Sequence, residues 1–203
     1  MINRETLREP LVLVAITEGA LTLVAGAICY WKGVWPNWNI SLATTLFGAL
    51  AGAVLFIALR RLALKARVSE AQWASEINEL REGFAEPLAK SLSFHQSILS
   101  AIMAGAAEEF FFRGTVENIL PLYLGALVAG IIFVFLHFGQ KIVEWRFISV
   151  LYFVVSLLFS TLFQCSNSLW AAAVCHGLYD FLALRFLSRS GLKLYTAFRQ
   201  LSR

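Results

Sequence analysis

The chain has 203 residues, of which 59% are hydrophobic and 15% are charged. A soluble globular domain is typically about 45–50% apolar and about 25% charged, so this composition excludes an ordinary soluble domain and predicts a membrane protein. The net charge is +4, and 15 of the 17 Lys and Arg residues lie outside the apolar segments. We therefore expect a lipid bilayer around the chain and no nucleic-acid partner.

Apolar segments follow one another along most of the chain. A membrane-spanning helix needs roughly 20 mostly apolar residues. Six segments approach this length, with ends uncertain by a few residues: 11–30, 40–59, 97–120, 122–138, 147–163 and 169–187. The sequence therefore predicts an all-α fold, a polytopic membrane helix bundle of about six transmembrane helices.

The stretch "RVSEAQWASEINELREGFAEPLAK" separates the second and third segments. It is polar, rich in helix-forming residues and carries both signs of charge, which predicts an amphipathic helix on the cytoplasmic surface. The sequence thus predicts an N-terminal transmembrane hairpin, an amphipathic surface segment, a four-helix membrane core and a basic cytoplasmic tail. Their ranges are 1–67, 68–96, 97–187 and 188–203.

The basic residues predict the orientation. Of the 17 Lys and Arg residues, Arg113 lies inside the third segment and Lys32 lies in a loop that would face outward. All the others lie on the side that holds both termini. By the positive-inside rule, both termini are expected in the cytoplasm. A bacterial cytoplasmic (inner) membrane is the expected location.

Ionisable residues inside spanning helices cost roughly 2.5–3.5 kcal/mol each for Asp, Lys or Arg at the centre, which makes them candidates for function. They are Glu18, Glu108, Glu109, Arg113, Glu117, His137, His176 and Asp180. Glu18 receives no role from the sequence. Glu117 follows Arg113 by four residues and is predicted to be its second partner.

The stretch "AGAAEEFFFRG" places two acids and a base in the third segment. Glu109 and Arg113 are four residues apart and are predicted to pair on one helix face. Glu108 is turned by about 100° from Glu109. One carboxylate is therefore neutralised by Arg113, and the other is left for chemistry.

Helix rise predicts that the polar residues of three segments meet at similar depth. If segments three and four form a hairpin that turns at Pro121, Glu108 lies ~20 Å and His137 ~24 Å from the turn. His176 and Asp180, on one face of segment six, lie ~12 and ~18 Å from the same side. This convergence requires the helix to continue past Arg113.

A carboxylate and two imidazoles support two kinds of chemistry. Glu108 can act as a general base on water, with His137 orienting that water and His176 donating to the oxyanion. Alternatively, Glu108, His137 and His176 match the ligand set of catalytic zinc. Spacing on separate helices does not distinguish the two, so a divalent metal such as zinc stays open as a cofactor.

Three motifs occur in order on successive helices: "EEFFFR", "FVFLH" and "HGLYD". Together they resemble EExxxR, FxxxH and Hxxx(N/D) of the CAAX prenyl protease and bacteriocin-processing (CPBP, or Abi) family of intramembrane proteases. The resemblance covers roughly residues 97–187. The first two segments match no family.

The resemblance implies an intramembrane endopeptidase that acts on a membrane-associated protein or peptide. It implies that Glu108 activates water, that Glu109 is tied to Arg113, and that His137 cooperates with Glu108 beside Phe133. It also implies that His176 and residue 180 stabilise the oxyanion. Relatives often have Asn at the last position. An ionised Asp180 cannot donate, so it is protonated, orients His176 or ligates a metal.

Two other function classes are compatible with the same residues. Buried Glu, His and Asp form proton relays in transporters, although the chain has no visible inverted repeat. A non-catalytic membrane immunity or assembly partner would keep the motifs for structure alone. A Glu108→Gln substitution distinguishes the protease from the transporter. Alanine at Glu108, His137 and His176 tests the non-catalytic partner, which would keep its cellular phenotype.

Overall fold

The computed structural model describes residues 10–201, with the side chains of residues 10–121 and 123–189. In this part of the chain the fold is all-helical, as predicted. Residues 1–9 of the predicted N-terminal hairpin and residues 202–203 of the predicted tail lie outside the described residues. The predicted tail is otherwise helical, because the last helix continues as far as Leu201.

Eight α-helices form the described bundle. They are α1 (Pro10–Lys32), α2 (Leu42–Ala66), α3 (Gln72–Leu80), α4 (Glu86–Ser91), α5 (Phe94–Glu109), α6 (Leu122–Phe138), α7 (Arg146–Ser166) and α8 (Leu169–Leu201). Two π-helical segments, Arg81–Ala85 and Phe110–Glu117, join α3 to α4 and extend α5. A 3₁₀ turn, Gly139–Ile142, follows α6.

Within the described residues, four helices are long and apolar enough to cross a membrane: Pro10–Lys32, Leu42–Ala66, Tyr123–Ile142 and Arg146–Ser166. The chain is an integral membrane protein. The predicted third and sixth spans correspond to α5 with its π-helical extension and to α8. They are not among the four, and both carry the charged residues of the motifs.

Small residues let α8 pack closely against two neighbours. A Cβ at Gly52 of α2 would lie 2.6 Å from the Cys175 carbonyl oxygen. A Cβ at Gly105 of α5 would lie 2.7 Å from the backbone nitrogen of Gly177. Because no side chain fits in these gaps, α8 lies against the backbones of both α2 and α5. This contact places His176 next to the end of α5.

The predicted surface segment folds as three short helical pieces and docks on the start of α7. The buried Glu76 accepts hydrogen bonds from the backbone N–H groups of Phe147, at 2.9 Å, and Ile148, at 3.2 Å. A carboxylate there caps free donors and complements the helix dipole. Ile77 and Leu80 pack beside a core that includes Phe138. The segment is therefore part of the bundle's packing as well as amphipathic.

Candidate active site

The motif residues come from three parts of the bundle and meet at one place. Glu108 and Glu109 are the last two residues of α5, His137 lies near the end of α6, and His176 lies in α8. The predicted convergence depends on a helix that runs past Arg113, and it does so as the π-helical segment Phe110–Glu117. The Thr115 hydroxyl donates to the Phe110 carbonyl at 3.0 Å, five residues back. Segments of this kind occur mostly at functional sites.

Glu109 and Arg113 form the predicted pair, and both are fully buried. Arg113 Nε lies 3.3 Å from Glu109 Oε2, and Nη1 donates to Oε1 at 3.3 Å. On α7, Nη2 donates to the backbone oxygen and the hydroxyl of Ser156, both at 2.6 Å. The guanidinium carbon also lies 5.6, 5.5 and 5.3 Å from the ring centres of Phe112, Phe133 and Phe159. These contacts stabilise the cation away from water, although the Nε–Oε2 contact is an ion pair without hydrogen-bond geometry.

His176 joins this pair rather than contacting Glu108. Its Nδ1 lies 2.8 Å from Glu109 Oε1, and its Nε2 lies 3.4 Å from Asp180 Oδ2. The ring stacks on Phe159, with 4.8 Å between centres and 12° between planes. Asp180 therefore lies in a position to orient His176. This is one of the three roles that the sequence allowed for an acid at residue 180. We call Glu109, Arg113, Ser156 and His176 the closed network.

Glu108 faces away from the closed network, toward α6. Its Oε2 lies 3.8 Å from His137 Nε2 and makes no hydrogen bond within the described part of the chain. That distance is too long for a direct hydrogen bond. A single water molecule about 2.8 Å from each atom would bridge them. We call Glu108 and His137 the open pair.

The backbone sets the orientation of His137. Its Nδ1 lies 2.8 Å from the Phe133 carbonyl oxygen, which can only accept, so Nδ1 donates. In the neutral ring, Nε2 then carries the lone pair, and it is this atom that faces Glu108. Phe133 packs on the ring with 4.3 Å between centres, as the FxxxH motif predicts. Both groups of the open pair can therefore accept a proton from the same water.

The donor set does not fit the metal alternative. Of the three candidate ligands, His176 has both ring nitrogens facing carboxylates, Glu109 and Asp180. Only Glu108 and His137 are directed at a common point. Among the described residues, no group of three or more His, Cys, Asp or Glu side chains is placed to hold a metal ion.

Two cavities meet at the open pair. The α2–α7 cavity, ≈ 230 Å³, is lined mainly by apolar residues such as Phe56, Leu59, Leu151 and Val155, and it includes Glu108. The α1–α5 cavity, ≈ 570 Å³, is lined by Val14, Glu18, Ser100, Ala104 and Lys141, among others. His137, Tyr152 and Asp180 line both. The site is therefore reached by one mainly apolar cavity and by a second cavity that carries additional polar side chains.

One predicted contact is wrong. Glu117 does not pair with Arg113, because its Oε1 accepts a hydrogen bond from Gln164 at 2.5 Å. Arg113 and Glu117 each face a different position along α7. Ser156 lies opposite the first and Gln164 opposite the second.

The sequence also missed the partners that α7 supplies. Ser156 and Phe159 lie in an apolar segment and belong to no motif, so nothing in the local pattern distinguished them from ordinary membrane residues. A polar residue of a spanning helix is a candidate for an interhelical hydrogen bond, which is the one indication that Ser156 gave.

Comparison with known proteins supports the motif assignment. Residues 90–182 match the family model described as type II CAAX prenyl endopeptidase Rce1-like. The match contains all three motifs and confirms the predicted resemblance to the CPBP family. It begins after α1 and α2. No curated protein and no solved structure matches the chain.

Proposed function

We propose that this chain, whose residues 90–182 match the family model described as type II CAAX prenyl endopeptidase Rce1-like, is an intramembrane endopeptidase. It hydrolyses a peptide bond of a membrane-associated protein or peptide with water that Glu108 activates. The observation that supports this most is the open pair. Two acceptors, 3.8 Å apart, face each other at the junction of two cavities.

In the proposed reaction, water donates one hydrogen to the Glu108 carboxylate and the other to His137 Nε2. Its lone pair is then directed at the carbonyl carbon of the substrate. Glu108 takes the proton during attack and transfers it to the leaving nitrogen when the C–N bond breaks. Holding the nucleophile between two fixed acceptors lowers the entropic cost of attack.

The closed network would support the oxyanion. His176 donates Nδ1–H to Glu109 at 2.8 Å, which fixes the ring, and in the imidazolium form its Nε2–H is left to donate toward the developing negative charge. Asp180 competes for the same hydrogen at 3.4 Å, a distance longer than a good hydrogen bond. An acid in place of the Asn common in relatives would thus orient His176 rather than donate itself.

The apolar α2–α7 cavity would receive the substrate. Its walls suit an apolar segment or a lipid-like chain, and Glu108 lies on its wall. We place both termini and the α3–α4 segment on the cytoplasmic side of a bacterial inner membrane. The distribution of the basic residues supports this orientation.

The test uses the whole protein in liposomes with a mixture of membrane-associated peptides, including farnesylated CAAX peptides, and mass spectrometry of the products. Wild type is expected to cleave at least one peptide, and Glu108→Gln is expected to trap that peptide without cleaving it. Glu144→Gln is the matched control, since Glu144 is exposed. Cleavage by the Glu108→Gln variant would overturn the proposal. Wild-type protein that moves protons but cleaves no peptide would support a transporter instead.

A further inference from the structure

Glu18 of α1 has no place in the reaction proposed above. It lies outside the region that matches the family model, which begins at residue 90. Its residue is only 9% exposed, although it belongs to one of the four apolar helices long enough to cross a membrane. A glutamate in such a helix is costly and normally faces a polar interior.

The Glu18 side chain faces the catalytic site through the α1–α5 cavity. That cavity is also lined by His137 and Asp180. The Glu18 carboxylate is within electrostatic range of Glu108, His176 and Asp180. Glu18 is therefore a fourth acidic residue around a site for which the motifs assign three.

Two oxygens on this cavity have no partner within the described part of the chain. They are Glu18 Oε2 and the Ser100 hydroxyl oxygen, both fully shielded. Glu108 Oε2 has none either. Buried polar groups are almost always hydrogen-bonded, to protein or to ordered water, so oxygens without a protein partner beside a cavity indicate a place for water.

Hydrolysis consumes water, and an apolar substrate in the α2–α7 cavity would block access from that side. The α1–α5 cavity reaches the open pair from another side, at His137, and Glu18 and Ser100 lie on its wall. We propose that Glu18 is a positioning residue which, with the Ser100 hydroxyl, holds the water that this cavity supplies to Glu108. This inference rests on the proposed hydrolytic function.

The experiment measures kcat and KM separately, in liposomes, with a peptide that wild type cleaves and Glu108→Gln does not. Glu18→Ala is expected to lower kcat about 10- to 100-fold, the size of a misplaced reactant, and to leave KM within about twofold because the substrate occupies the other cavity. Glu18→Gln keeps the volume and one acceptor oxygen, so its loss is expected to be smaller. Leu23→Ala, in the same helix but 76% exposed, is the matched control.

Chemical rescue separates water positioning from packing. Formate can enter the space that Glu18→Ala leaves and restore a carboxylate there. We expect formate to raise the kcat of Glu18→Ala and to leave wild type and Glu18→Gln unchanged, whereas formamide, of similar size but neutral, has no effect. Wild-type kcat in Glu18→Ala, a change confined to KM, or a loss that formate does not reverse would each overturn the inference.

The outcomes also separate the two proposals. If wild type cleaves no peptide in a Glu108-dependent way, the hydrolytic function fails and the inference fails with it. If Glu108 is required and Glu18→Ala is fully active, only the inference fails. Should Glu18→Ala not fold, Ser100→Ala and Glu18→Gln carry the test, and wild-type kcat in both would overturn it.

Discussion

The closed network and the open pair begin at neighbouring residues and differ in nearly every physical property. Glu109 is fully buried, and its carboxylate contacts Arg113 and His176 at 3.3 Å or less. Glu108 is 9% exposed and lines a cavity. Oε2 of each carboxylate lacks a hydrogen-bond partner in the described chain, but that of Glu109 faces the Arg113 cation at 3.3 Å, whereas that of Glu108 faces His137 at 3.8 Å. A buried charge without partners is costly, so the first arrangement is suited to structure and the second to reaction.

An apolar helix can hold two adjacent acids when their side chains enter different surroundings. One is neutralised by a base one turn away. The Nη2 atom of that base donates to Ser156, and its guanidinium group lies close to the rings of Phe112, Phe133 and Phe159. The other lies at the edge of the packed interior, where two cavities meet. Substitutions in the closed network should therefore reduce stability first, and substitutions in the open pair should reduce turnover first.

Arg113→Ala is expected to have the largest effect. It leaves Glu109 buried without its cation, and removing one partner of a buried ion pair typically costs about 3–5 kcal/mol. Thermal melting of the purified protein in detergent measures this loss. Arg61→Ala, at an exposed residue of α2, is the matched control. A melting temperature equal to wild type would show that Arg113 does not hold the network together.

His137→Ala tests the other half of the comparison. Loss of a positioned proton acceptor typically lowers turnover by about 100-fold or more. The melting temperature should stay close to wild type, because the His137 side chain is 30% exposed and its hydrogen bond within the described residues is to a backbone oxygen of its own helix. His95→Ala, at an exposed histidine, is the control. Full turnover in His137→Ala would remove His137 from the reaction.

Gly105→Val tests the contact that brings the closed network together. Its side chain would meet the Ala173 oxygen and the Gly177 nitrogen, both at 2.7 Å and both in the backbone of α8. Overpacking of this kind costs about 2 kcal/mol. The melting temperature and the yield of folded protein report it. Gly26→Val is the control, because a Cβ there meets nothing within 4 Å. Equal stability of the two variants would contradict the close packing of α5 and α8.

Ser156→Ala is expected to have the smallest effect of the four. It removes one hydrogen bond to a charged group, worth about 1.5 kcal/mol, while Arg113 keeps the backbone oxygen of residue 156. Melting in detergent measures the change, and Thr161→Ala, on the exposed face of the same helix, is the control. A loss as large as that of Arg113→Ala would mean that the hydroxyl, not the carbonyl, is the main anchor.

The local part of this arrangement could be predicted from the sequence. A spacing of four residues makes Glu109 a neighbour of Arg113 and His176 a neighbour of Asp180. The two members of each pair lie on the same helical stretch, so the helix turn sets the distance between them. Helix rise was enough to bring Glu108 and His137 to the same depth, and their side chains lie 3.8 Å apart.

The contacts between helices could not be predicted in the same way, because they depend on how the helices are rotated about their axes. The sequence directed His176 at Glu108, and the structure directs it at Glu109, a difference of one residue on α5. That choice is set by the contact of Gly105 with α8 and by the π-helical turn after Glu109, neither of which has a reliable pattern in sequence. The orientation of the Glu18 side chain could not be predicted either, because it depends on how α1 packs on α5.

The most direct test of the central claim compares Glu108→Gln with Glu109→Gln, measuring turnover and melting temperature for both. We predict that Glu108→Gln loses about 1,000-fold in kcat and melts like wild type. Glu109→Gln is predicted to melt about 10 °C lower, from a loss of about 3 kcal/mol. If Glu108→Gln is as destabilised as Glu109→Gln, or keeps its turnover, the two acids do not have the separate roles assigned to them.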